Sequence, residues 1–194
     1  SKALDLDPSN GDIYVRRARV AIKIPRYSDA MKDLDLALRF DPSNQRIDLY
    51  KAKVYLNLGK FDAALNSATL ALEKKPRYAE ALSTRATVFE KLDRVDQAIA
   101  DLTEAIGVAS YRPERFYEER AELYSRLNRF QEAKADFIEI LSLDPSNTNA
   151  IEHLIEIYIR EKDQEAAKDM LDKLITVNPS NSGIQDWQEK IQNL

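Results

Sequence analysis

The sequence predicts an all-α protein, a solenoid built from repeated helical hairpins. Three observations predict it. A proline-centred turn recurs every 34 residues, each interval holds two helical patterns, and the composition suits helix. Asp7-Pro8-Ser9-Asn10 returns as Asp41-Pro42-Ser43-Asn44, Asp144-Pro145-Ser146-Asn147 and Asn178-Pro179-Ser180-Asn181, with Lys75-Pro76-Arg77-Tyr78 as a looser copy. Pro8 to Pro42, Pro42 to Pro76 and Pro145 to Pro179 are 34 residues each, while Pro76 to Pro145 is 69, two periods plus one residue. Only four of 194 residues are glycine, and Ala, Leu, Glu, Lys and Asp dominate.

The spacing divides the chain into five units: 11–44, 45–78, 79–113, 114–147 and 148–181. In the first helices, apolar or small residues step by four and three: Tyr14, Ala18, Ala21; Leu82, Ala86, Phe89; Tyr117, Ala121, Tyr124. The second helices show the same stripe: Ala30, Leu34, Ala37; Ala64, Ala68, Ala71; Ala98, Leu102, Ala105; Ala133, Phe137, Ile140; Ala167, Leu171, Leu174. Such steps place side chains along one face of a helix. Tyr27, Phe61, Val95 and Phe130 each precede a second helix and can plug the hairpin turn. Proline then closes the unit because it cannot continue a helix. The alanine that recurs at 30, 64, 98, 133 and 167 marks the point where two helices approach most closely.

The third unit carries an extra residue near Ser110-Tyr111-Arg112-Pro113, which predicts a shifted turn and a local kink. Residues 1–10 read as the tail of a second helix whose own hairpin is missing, so a longer parent protein is the expectation. Residues 182–194 place Ile184, Trp187 and Ile191 on one stripe, a capping helix for the last repeat with Trp187 as its plug.

Composition narrows the function classes. With 44% apolar and 32% charged residues the chain has the makings of a solvated helical protein with a core. A net charge of -4 argues against a general nucleic-acid binder, which needs a broad basic surface. No apolar run approaches the roughly 20 residues that cross a bilayer, and no cationic leader with an apolar stretch is visible. Cysteine is absent, which excludes disulfides, thiol nucleophiles and cysteine-based metal sites. The single histidine, His153, has no partner at metal-ligand or triad spacing, and the glycines build no phosphate loop. Neither a catalytic residue, a metal nor a cofactor is expected.

The pattern resembles the tetratricopeptide repeat family. The family's signature positions are matched by Ala18, Ala52, Ala86 and Ala121 in first helices, by the five second-helix alanines and by the closing prolines. Asp48, where a large apolar residue is usual, Ile155, where a small one is, and Ser110, in place of the closing proline, depart from it. The resemblance implies a right-handed α-solenoid that binds another protein or peptide in a concave groove lined by first-helix residues. Carried over residue by residue, that surface comprises Val15, Arg19, Lys23, Arg46, Leu49 and Lys53, basic in balance, and then Glu80, Glu90, Glu118, Glu122, Glu152 and Glu156, acidic in balance. A ligand of opposite polarity would be oriented by that field, although the same charges also suit a merely solvated helical surface. Family members that grip chaperone C-terminal tails use a clamp of Lys, Asn and Arg. Its positions here fall on Val15, Arg19, Tyr50, Glu80 and Thr84 or on equivalents one repeat later, and no register reproduces it. Chaperone tails are therefore not expected partners. The implied function is a protein–protein interaction scaffold; the alternative is a self-associating assembly module, a homo-oligomer.

Overall fold

A computed structural model describes residues 7–194. The expected second-helix tail falls mainly on residues 1–6, outside the described residues. Among the described residues there are eleven helices and no strand. They are α1 (Gly11–Lys23), α2 (Tyr27–Phe40), α3 (Gln45–Asn57), α4 (Phe61–Lys74), α5 (Ala79–Lys91) and α6 (Val95–Val108). After these come α7 (Glu114–Arg126), α8 (Phe130–Leu143), α9 (Thr148–Glu161), α10 (Gln164–Val177) and α11 (Ile184–Gln192).

The hairpin turns are closed by backbone chemistry. In four of them one residue takes the left-handed conformation: Gly59 (φ 69°), Asp93 (58°), Asn128 (59°) and Lys162 (58°). The next N–H then reaches back to the first helix, Lys60 to Tyr55 O at 2.9 Å, Arg94 to Phe89 O at 2.8 Å, Arg129 to Tyr124 O at 2.9 Å and Asp163 to Tyr158 O at 2.9 Å. This is the six-to-one bond that satisfies orphan carbonyls at a helix end. At the unit boundaries Asn10, Asn44 and Asn147 cap the following helix, accepting from the N–H of Asp12, Arg46 and Ala150. The recurring Asn of the turn string is thus a helix start.

The chain forms two compact units, one ending at Ser110 and one starting at Tyr111. In the first unit α1 pairs with α2, α3 with α4 and α5 with α6; α3 also packs on α2, α5 on α4, and the first helices α1, α3 and α5 lie side by side. In the second unit α7 pairs with α8 and α9 with α10, α9 packs on α8, and α11 closes against α10. Each helix therefore has neighbours only one hairpin away, the solenoid plan that the repeats predict. Ala30, Ala64, Ala98, Ala133 and Ala167 are all fully buried, as close helix approach requires. Ile155 is also fully buried, in a cluster with Ile151, Leu171, Leu174 and Ile191. The sealed side chain of α11 is Ile191, while Trp187, expected as the plug, is half-buried at the rim of that cluster. Asp48 is accommodated by Lys74, whose ammonium lies 2.6 Å from it and donates to Pro42 O at 2.7 Å.

Candidate functional site: the first-helix faces

In the first unit, α1, α3 and α5 carry eight of the twelve expected binding residues. Val15 and Leu49 do not belong there. Both are sealed in the core, 0% and 1% exposed, and offer no surface to a ligand. The position faces inward on all three first helices of this unit, since Ser83 at the same register on α5 is also buried, and helix phase sets that direction. Arg19 and Lys23 are exposed one turn apart on α1, and no ion pair reaches either of them among the described residues. Lys53, in register with Arg19 on α3, holds its ammonium 5.9 Å above the Tyr50 ring. Arg46 is tied down: its guanidinium donates to Asp12 at 2.7 Å across a 34-residue repeat. Asp12 also accepts from Arg16, and this bond, followed by the charge of Arg46, holds its carboxyl below the usual aspartate range. Beside them, partial burial and then Glu80 push the Tyr78 phenol up to about 12. Glu80 is exposed, and Glu90 lies 3.8 Å from Lys91.

In the second unit, α7 carries Glu118 and Glu122, and α9 carries Glu152 and Glu156. Glu118 accepts from the Asn149 side-chain amide, and Glu152 accepts from Asn181 at 2.6 Å. Glu122 is pushed above the ordinary glutamate range, by desolvation first and by Glu118 second. Glu156 lies 3.6 Å from Nδ1 of His153, whose ring stacks on Phe137 with centroids 4.7 Å apart. Asn149 and Asn181 orient two of these acids. Asn181 reads in the sequence only as a turn residue, although its place at the repeat boundary beside Glu152 is the signal that could have revealed it.

A second set of residues went unread in the sequence. Arg17, Arg85 and Arg120 each make a two-pronged bond to an aspartate sixteen residues on, Asp33, Asp101 and Asp136, at 2.5–2.9 Å. These pairs bolt first helix to second within a hairpin. Their spacing of sixteen, repeated three times in register, was the available signal. Among the described residues no group of three or more His, Asp or Glu could hold a metal ion, and no helix is long and apolar enough to cross a membrane.

Comparison with known proteins gives the same architecture. Residues 49–113 and 125–191 each match a family model described as tetratricopeptide repeat. Among solved structures, PilF of Pseudomonas aeruginosa superposes with a TM-score of 0.81 at 19% identity, over 96% of this chain and 84% of that one. YrrB, described as a tetratricopeptide repeat protein with an unusual peptide-binding site, gives 0.68 at 20%, over 97% and 96%. Yeast Tom70 gives 0.75 at 22%, over 99% of this chain and 40% of that one. Identities this low speak for fold alone. No curated protein matches by sequence.

Proposed function

Because the chain belongs to the tetratricopeptide repeat family, whose members are generally non-catalytic scaffolds, we propose that it holds a peptide or a helix of a partner protein against its first helices. The observation that carries this reading is the sorting of charge between the two first-helix faces. In the first unit α1 and α3 present Arg19, Lys23 and Lys53, with Arg46 anchored behind them, while α5 carries the acids Glu80 and Glu90. The second presents Glu118, Glu122, Glu152 and Glu156. A partner segment held on α1 and α3 would bring carboxylates to them, one held on α7 and α9 would bring cations, and such complementarity acts mainly through orientation and association rate. YrrB, a fold relative, is described as having a peptide-binding site, which lends the reading a precedent.

The test begins with affinity capture from native extract, identification of partners by mass spectrometry, and titration of the purified partner. Arg19→Glu with Lys53→Glu should weaken that binding by about tenfold or more, the size expected when like charges face each other across an interface, and should flatten its loss with added salt, because the attraction that salt screens is gone. Unchanged affinity would sink the first-helix reading. Sedimentation of the isolated chain separates the competing assembly role, since a concentration-dependent oligomer is what self-association requires.

A further inference from the structure

The first helices of the first unit repeat their surface chemistry in two rows. Arg19 on α1 and Lys53 on α3 are 34 residues apart, and so are Ile22 and Leu56, one turn further along the same two helices. Each helix thus offers a cation followed by a half-buried aliphatic side chain. Both rows stop at α5, where the same positions hold Thr87 and Glu90. α1 and α3 lie side by side with Cα atoms within 8 Å of each other, and Arg46 of α3 bonds Asp12 of α1 directly. Equivalent side chains on the two helices are therefore separated by the usual distance between packed helices, roughly 8–10 Å.

That spacing discriminates between conformations of a ligand. On one face of a β-strand, side chains recur every second residue, about 7 Å apart, or every fourth, about 13 Å apart. Neither step matches. An α-helix returns to one face about 10 Å on, at every seventh residue, but it has a broad apolar stripe to bury. The two rows offer such a stripe only Ile22 and Leu56, since Val15 and Leu49 are sealed beneath. A polyproline II segment returns to one face every third residue, about 9 Å on, and its backbone stays hydrated without hydrogen-bond partners. It is the conformation that meets both rows. The sign of its charge follows from the protein. Arg19 is exposed with no ion pair reaching it among the described residues, and Lys53 stands 5.9 Å above the Tyr50 ring.

We infer, resting on the first-helix reading above, that the partner segment held on α1 and α3 is acidic and proline-rich, with carboxylates three residues apart. One carboxylate meets Arg19 and the next meets Lys53. The apolar residue beside each lies on Ile22 or Leu56. A third carboxylate in the series would reach α5, where Thr87 offers no cation, so the site rewards two.

The probes are three fluorescent peptides of equal length, titrated against the 194-residue chain by anisotropy. The first has two glutamates three residues apart, each followed by leucine, in a proline background. The second has the same composition with its glutamates four residues apart, which turns one of them off the shared face. The third is the first with lysine in place of glutamate. The first should bind about fivefold more tightly than the second, the worth of one exposed charge pair, and about tenfold more tightly than the third. Arg19→Gln with Lys53→Gln should weaken the first peptide about tenfold, two such pairs being lost, while circular dichroism shows an intact fold. Asparagine in place of the peptide's leucines should weaken it about fivefold with the protein untouched. Equal affinity for the first and second peptides overturns the inference, and so does binding that ignores Arg19→Gln with Lys53→Gln, or no binding of the first peptide. In each of those cases a captured partner that still responds to Arg19→Glu with Lys53→Glu leaves the first-helix reading standing. A captured partner indifferent to that charge reversal sinks both.

Discussion

Arg120 and Asp136 show how much rides on single side chains. Their carboxylate–guanidinium pair is largely buried, with side chains 16% and 5% exposed, and the bond from Asp136 raises the arginine's affinity for its proton. Removing one partner strands the other in a poor dielectric. Asp136→Ala should cost about 3 kcal/mol, read by urea denaturation. The chain supplies the repair: in the last repeat the same two positions are Leu154 and Met170. Arg120→Leu with Asp136→Met should therefore recover most of the loss, and a double variant as unstable as the single one would refute the pairing. Glu122 makes a different prediction. Its folded pKa is raised above the ordinary value of 4.5, so its ionised form opposes folding at neutral pH. That opposition fades as pH falls through the folded value and is gone below the unfolded one. Glu122→Gln should melt slightly higher than the parent at pH 7, and the two curves should coincide near about pH 4.

At the scale of the helix, stability is set by how each element ends. Gly59 can take its left-handed turn without strain, whereas Lys162 takes an equivalent turn with a side chain attached. Lys162→Gly should stabilise the last hairpin by about 0.5–1 kcal/mol, measured by thermal melting. A loss instead would mean that the lysine stem is packing there. Helix stretches and the turns between units were legible beforehand, because periodicity of three and four and the Pro-Ser-Asn string are local signals, whereas the capping role of Asn10, Asn44 and Asn147 emerged only from the structure. The direction in which a first-helix side chain points was less so. Val15 and Leu49 share the register of Arg19 and Lys53 closely enough to be carried onto the surface by analogy, yet lie in the core.

For the whole molecule the informative place is the link from Ala109 to Pro113. It is one residue longer than the links at 41–44, 75–78 and 144–147, and the chain divides into its compact units within it. Tyr111 is 81% exposed and Arg112 sits in the left-handed region at φ 51°. Limited proteolysis with chymotrypsin should cut first after Tyr111, since exposed turns outside helices are the preferred sites. Early cleavage inside α3 or α9 would contradict the two-unit description.

The sequence by itself determined the repeat length, the number of hairpins, the family and the small residues at helix contacts. Each of these rests on neighbours within one or two turns of the same helix, or on one turn string recurring at a fixed interval. Tertiary structure alone decided which first-helix residues face water and which charges are neutralised by partners 16 or 34 residues away. Those outcomes depend on helices meeting through space. Val15 is the clearest case: it lies one turn from Arg19 on the same helix, yet the helices packed around α1 seal it in the core.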